Sequence, residues 1–107
     1  MNVQNVRYSK AVSSFLADLT FILVLDGYFY CYETSRDYVL KLMDEIELTI
    51  HIKHKRPAPP YFLRYGEEML YITCKRNRTS WYVFFTFEEG TYYIHHITNN
   101  HVDGHHF

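Results

Sequence analysis

The stretch SWYVFFTFEEGTYYIHHITNNH, residues 80–101, holds two aromatic runs separated by a Glu-Glu-Gly turn. Aromatic and β-branched residues favour strands, and a short polar turn containing glycine is typical of an antiparallel hairpin. The run 69–75 has the same character. The sequence therefore predicts a three-stranded antiparallel meander with strands at 69–75, 80–87 and 91–98.

The middle strand decides which side chains share a face, because successive side chains of a strand point to opposite sides. One face is predicted to pack against helices and carries Val83, Phe85 and Phe87. The other is predicted to face outward and carries Tyr82, Phe84 and Thr86. By the same rule His95 and His96 are predicted to lie on opposite faces, and apolarity does not decide which one is inside.

The residues before the meander predict one strand and two helices. Residues 3–8 form a short opening strand, and Ser9 can cap a helix with apolar residues every three or four positions, ending near Gly27. A second amphipathic helix is predicted over 35–51, with Thr34 as its cap.

Two connections complete this outline. The run YFYCY at 28–32 fits either a strand or a packed connection, and HIKHKRPAPP at 51–60 contains three prolines that predict an extended loop. The predicted fold class is α+β: an opening strand, a helical hairpin and the meander, in one domain spanning 1–107.

The composition favours a packed domain, since 48% of the residues are hydrophobic and 19% aromatic. The longest apolar run, FILVL at 21–25, is too short to span a membrane, and residues 1–9 lack the pattern of a secretory signal. We therefore expect a cytoplasmic protein without a membrane partner. Cys31 and Cys74 lie far apart without CxxC spacing, which favours reduced, structural cysteines.

Seven histidines raise the alternative of a zinc site. His101, His105 and His106 are the candidates, but they have no CxxC beside them. No metal and no other cofactor is predicted.

The order of elements resembles the RelE/ParE superfamily of bacterial toxins. The resemblance rests on VRYSKAVSSFLADL at 6–19, ETSRDYVLKLMDEIELTI at 33–50 and WYVFFTFEEGTYYIHHI at 81–97. It implies a RelE/ParE-like fold and a toxin of a type II toxin-antitoxin system, with a cognate antitoxin as partner.

The resemblance implies two different activities. RelE-like members are ribosome-dependent messenger RNA endonucleases that use 2′-OH attack without a metal, so the ribosome and messenger RNA would be partners. ParE-like members inhibit DNA gyrase. The alternative to an endoribonuclease is therefore a protein-binding module, either a gyrase inhibitor or an inactive relative of the toxins.

A metal-free RNase needs a proton acceptor, a cation for the phosphorane charge and a proton donor. Family RNases carry an arginine near the start of the middle strand, where this chain has Tyr82. The charge is instead predicted to come from Arg76 and Arg78 at the preceding turn. His101, just past the last strand, is the predicted acid, and His96 is a further candidate.

The densest basic segment is HIKHKR at 51–56. Cations are favoured at the end of a helix in any case, but the same residues can bind an RNA backbone. The predicted RNA-binding residues are Lys53, Lys55, Arg56 and Lys75. An outward aromatic face would also fit a protein partner, and this favours the protein-binding alternative.

Overall fold

The computed structural model describes residues 5–74 and 78–107, the side chain of Cys74 excepted. Its long elements are β1 (Asn5–Tyr8), α1 (Lys10–Leu25), α2 (Tyr32–Thr49), β3 (Glu68–Cys74), β4 (Thr79–Glu88) and β5 (Thr91–Asn99). Its short elements are β2 (Arg56–Pro57), a 3₁₀ segment (Pro60–Tyr65), α3 (Asn100–Asp103) and a last 3₁₀ turn (Gly104–His106).

The five strands form one mixed sheet in the order β1-β5-β4-β3-β2. Consecutive strands from β2 to β5 pair antiparallel, whereas β1 pairs parallel to β5. The predicted α+β class and the meander are confirmed. The strand count differs, because Arg56 and Pro57 of the proline loop pair with Met69 and Glu68. Proline is tolerated there because β2 lies at the sheet edge.

The first helix begins and ends where its sequence predicts. Ser9 accepts a hydrogen bond from the backbone N–H of Val12 at 3.1 Å, and Gly27 follows the helix with a φ of +83°. The second helix begins at Tyr32, three residues before the predicted start. The Thr34 hydroxyl lies 3.2 Å from the Cys31 sulfur instead of capping the helix. The YFYCY run is a connection of turns and bends that leads directly into α2, not a strand.

Both long helices cover one face of the sheet, where the main core lies. Ser35, fully buried on α2, donates a hydrogen bond to the Thr20 carbonyl on α1 at 2.7 Å and so joins the two helices. The Trp81 indole donates to the Tyr38 hydroxyl at 2.9 Å, which joins β4 to α2. The core on this face contains Val12, Leu16, Leu19, Val39, Leu42, Ile46, Ile50, Leu70, Ile72, Trp81, Val83, Phe85, Ile94 and Ile97.

The opposite face of β4 is also buried. Tyr82 and Phe84 point away from the helices, as predicted, but they are only 8% and 0% exposed because a second, smaller core covers them. That core contains Ala58, Phe62, Met69, Tyr82 and Phe84. Phe87, predicted to face the helices, is instead 53% exposed and contacts Tyr92, so the helical cover does not enclose it.

Gly66 allows the 3₁₀ segment to lie directly on the sheet. Its φ of +141° is in a region that is nearly exclusive to glycine. A Cβ at this position would lie 2.3 Å from the Phe85 carbonyl oxygen on β4. The chain therefore comes closer to β4 here than any side chain would permit.

We expect Gly66→Ala to lower the free energy of unfolding by ~2–4 kcal/mol, because the methyl overlaps the β4 backbone in addition to straining its own residue. Gly90→Ala is the matched control: its φ is +81°, but nothing lies within 4 Å of the added Cβ. That variant should lose only the left-handed strain, ~1–2 kcal/mol. Urea unfolding followed by Trp81 fluorescence measures both. Equal losses would show that the close approach is unimportant.

Candidate RNA-binding face

The face of the sheet away from the helices carries a group of stacked rings, here called the aromatic cluster: Phe62, Tyr65, Tyr82, Phe84, His96 and Phe107. Phe62 lies on Phe84 with ring centroids 4.6 Å apart. Phe107 lies on Tyr82 at 3.6 Å, with the ring planes 14° apart. Rings therefore cover this face, on which Tyr82 and Phe84 were predicted to point outward.

A β-bulge places both adjacent histidines on this side. Phe84 pairs with His96 and Phe85 with Ile94, so His95 is an extra residue in β5. The His95 ring nitrogen Nε2 lies 2.8 Å from the hydroxyl of Thr86, which faces away from the helices. The prediction that His95 and His96 lie on opposite faces is wrong, because the bulge interrupts the strand's alternation.

His96 belongs to the aromatic cluster. Its ring is stacked on Tyr65 with centroids 4.2 Å apart. Burial lowers its pKa, the Arg64 charge lowers it further, and the Asp103 carboxylate opposes both effects. The folded protein therefore favours the neutral imidazole, which is a poor proton donor. The catalytic role predicted for His96 stays a prediction.

A second group of residues lies beside the cluster at the β2–β3 edge, here called the cationic edge: Lys53, Arg56, Tyr71 and Ser80. The Arg56 guanidinium carbon lies 4.2 Å from the centroid of the Tyr71 ring. The Lys53 ammonium donates to the Tyr71 carbonyl at 2.5 Å, and the Tyr71 and Ser80 hydroxyls are 3.1 Å apart. Arg56 thus lies over the half-buried Tyr71 ring, Lys53 lies at the Tyr71 backbone carbonyl, and the Ser80 hydroxyl lies at the Tyr71 hydroxyl.

The surroundings of Tyr71 favour its ionised form. Hydrogen bonding to Ser80 lowers its pKa most, hydrogen bonding to Thr73 adds to this, and burial opposes it. The positive charges of Arg56 and Lys53 lower the pKa further. The neighbouring Tyr82 shows the opposite change: its pKa is raised, mainly by burial. Of these two tyrosines, Tyr71 is the better proton acceptor.

Lys55 and Arg64 do not join Tyr71, and the Lys55 ammonium lies 6.0 Å from the ring centroid of Phe85, a residue of the main core. Lys55 donates to the Lys53 carbonyl at 2.6 Å, and burial lowers its pKa while the Glu68 charge opposes the change. The Arg64 guanidinium lies 4.5 Å from the Tyr65 ring and 5.1 Å from the Tyr61 ring. Of the predicted RNA-binding residues, Arg56 lies over the Tyr71 ring, Lys53 donates to the Tyr71 carbonyl, Lys55 donates to the Lys53 carbonyl, and Lys75 is outside the described residues.

The predicted catalytic residues do not form one site in the described part of the chain. His101 is exposed at the end of β5, where its Nε2 lies 3.1 Å from the Thr79 hydroxyl and its ring is 6.2 Å from Tyr28 of the α1–α2 connection. Arg78 is exposed at the β3–β4 turn, and Arg76 lies outside the described residues. Tyr82 and His96 are in the aromatic cluster on the other side of the sheet from the helices.

The two asparagines before His101 have structural roles. Asn99 accepts hydrogen bonds from the backbone N–H groups of His101 and Val102, at 2.9 and 3.0 Å, and so caps α3. Asn100 accepts from the Ser80 backbone N–H at 2.8 Å and holds α3 to β4. The two asparagine side chains thus link the end of β5 to α3 and to β4.

Tyr71 and Arg64 were absent from the sequence-based site. Tyr71 is opposite Tyr82 in the β3–β4 register, and strand alternation would have placed the two rings on one face. Nothing in the sequence brings Arg56 over Tyr71, since that contact depends on β2, which was predicted as a loop.

Two kinds of feature are absent from residues 5–74 and 78–107. Within these ranges, no three His, Cys, Asp or Glu side chains come together as metal ligands usually do. None of the helices found there combines the length and apolarity that crossing a bilayer requires.

The lowered pKa of His96 predicts a stability that depends on pH. The contribution is complete above the unfolded-state pKa of about 6.5 and is lost as the pH falls below it, towards the lower folded-state value. The loss can reach ~1.4 kcal/mol per pH unit. His96→Phe, which retains a ring against Tyr65, should show a smaller loss between pH 7.5 and 5.5 in urea unfolding. His54→Gln, at an exposed position, is the control and should keep the wild-type dependence. The same dependence in all three proteins would contradict this role.

Comparisons with known proteins give no relative from which a role can be transferred: no family model, no curated protein and no solved structure matches this chain.

Proposed function

We propose that this chain is a toxin-like protein of the RelE/ParE kind that binds single-stranded messenger RNA at the cationic edge and cleaves it on the ribosome. The observation that carries the proposal is the contact of Arg56 with Tyr71, next to Lys53 and Ser80, on the sheet face that the helices leave uncovered. These groups supply charge and proton transfer without a metal ion.

The cationic edge has the chemistry that single-stranded RNA requires. An arginine lying on an aromatic ring keeps its N–H groups available for bidentate contact with a phosphate. Lys53 adds a second positive charge at the same edge, and exposed parts of Tyr71 can contact a base or a ribose. The whole chain carries a net charge of −1, so the binding depends on where the cations lie and not on overall charge.

The proposed reaction transfers a phosphoryl group within the RNA strand. The Tyr71 phenolate accepts the proton of a ribose 2′-OH, the 2′-oxygen attacks the adjacent phosphorus, and the bond from phosphorus to the 5′-oxygen breaks. The products are a 2′,3′-cyclic phosphate and a 5′-hydroxyl, which takes its proton from solvent. Arg56 and Lys53 stabilise the extra negative charge on the phosphorane. Tyr71 thus supplies the proton acceptor, a role to which the sequence analysis assigned no residue.

Arg56→Gln should weaken binding of a fluorescein-labelled ten-nucleotide RNA by roughly 5- to 30-fold, because it removes one phosphate contact. The slope of log affinity against log salt should fall by ~0.7, the value for one phosphate on a single strand. Fluorescence anisotropy at several salt concentrations measures both. Arg36→Gln, at an exposed arginine on α2, is the matched control. Equal losses in the two variants would contradict binding at the cationic edge.

Tyr71→Phe should slow cleavage ~10²-fold or more while changing RNA affinity less than ~3-fold, because only the proton acceptor is lost. Wild-type cleavage should accelerate with pH up to the Tyr71 pKa, which lies below its ordinary value. Primer extension on programmed bacterial ribosomes detects the cuts, and a cyclic-phosphate end identifies the mechanism. Tyr61→Phe is the control. Full activity of Tyr71→Phe would exclude this phenol as the base.

The protein-binding alternative is favoured by a different observation. The end of α1 and the connection to α2 expose large apolar side chains, including Leu25 at 82% and Tyr30 at 106% of full exposure. Such a group is typical of a surface that a partner covers. Inhibition of purified DNA gyrase in a supercoiling assay, with translation unaffected, would support this function in place of RNA cleavage.

A further inference from the structure

The Phe107 ring is stacked on its neighbours but is not enclosed as a core side chain would be. It is 42% exposed, yet its ring lies 3.6 Å from Tyr82 at an interplanar angle of 14°. Phe62 and Phe84 lie at 5.2 and 6.5 Å from it, each within about 25° of parallel. One face of the ring is thus in contact with Tyr82 while much of its surface stays in solvent.

We propose that Phe107 occupies a nucleobase subsite of this protein, and that an unpaired RNA base displaces it and stacks on Tyr82. The proposal rests on the function proposed above and adds the recognition of a base to the recognition of phosphate. Planar aromatic rings in parallel contact are the usual platform for bases of single-stranded RNA, and such stacking tolerates any base.

The subsite adjoins the cationic edge. Arg56 lies over Tyr71 at 4.2 Å, the Tyr71 and Tyr82 rings are 5.4 Å apart, and Phe107 follows on Tyr82. Arg56 on β2, Tyr71 on β3 and Tyr82 on β4 thus form a continuous row of contacts, and Phe107 lies at its end. A nucleotide with its phosphate at Arg56 would therefore have its base near Tyr82, where Phe107 now lies.

The segment that carries Phe107 is held by hydrogen bonds at its first residues and by stacked rings after Asp103, where His106 lies on Tyr61 with ring centroids 3.6 Å apart. Asn99 and Asn100 hold its first residues by hydrogen bonds, and Thr98 donates to Asp103 at 2.5 Å. After Asp103, the Phe107 backbone N–H donates a hydrogen bond to the nearby Gly104 carbonyl at 3.2 Å. The Phe107 ring can leave Tyr82 without disrupting α3.

The test compares the wild type with Phe107→Ala in binding two labelled ten-nucleotide RNAs, an oligoadenylate and an abasic strand with the same phosphates. Phe107→Ala should bind oligoadenylate about tenfold more tightly, since the base no longer displaces a ring. Its affinity for the abasic strand should equal that of the wild type. Tyr82→Leu/Phe107→Ala should lose the gain, and Tyr30→Ala, at an exposed ring in the α1–α2 connection, should bind as the wild type does.

Each outcome decides the matter. Unchanged or weaker binding by Phe107→Ala, while the wild type still binds RNA and Arg56→Gln still weakens it, would overturn the subsite and leave the proposed function intact. An equal gain for the abasic strand would also overturn it, since the gain would then come from charge. Absence of RNA binding by every variant would overturn the subsite together with the proposed function.

Discussion

The rest of the structure depends on the burial of β4 on both faces. Trp81, Val83 and Phe85 require the helices, and Tyr82 and Phe84 require a second cover that this short chain supplies with a 3₁₀ segment and residues 104–107. Successive side chains of a central strand point to opposite faces of the sheet. Apolar side chains on both faces must therefore be covered, or they leave apolar surface in water. Gly66 makes the second cover close enough to exclude solvent.

The second cover determines where polar side chains remain accessible on this face of the sheet. Rings fill the centre of this sheet face, and the polar groups around Tyr71 lie at its margin. At this margin β2 pairs with only two residues of β3, and the Lys53 ammonium donates a hydrogen bond to the carbonyl of Tyr71 on β3. The charged groups and hydroxyls of the cationic edge lie at this margin because the second core occupies the centre of the face.

Local chemistry in the sequence was sufficient for much of the fold. The Ser9 cap, the stop at Gly27 and the turn at Gly90 depend on residues close together in the chain, and all are present. The site was far less predictable. The bulge at His95 leaves no mark in the alternation of residues, and the Arg56–Tyr71 contact depends on a two-residue strand formed against distant partners. Local sequence patterns do not specify contacts that depend on pairing between distant parts of the chain.

The bulge in β5 has a consequence for how this protein can change during evolution. Loss of His95 would make the β4–β5 ladder regular while residues on both sides kept their present partners and faces, since Ile94 already pairs with Phe85 and His96 with Phe84. A shortening by one residue ordinarily reverses the faces of half a strand. At this one position of a central strand, the length of the chain is free to vary.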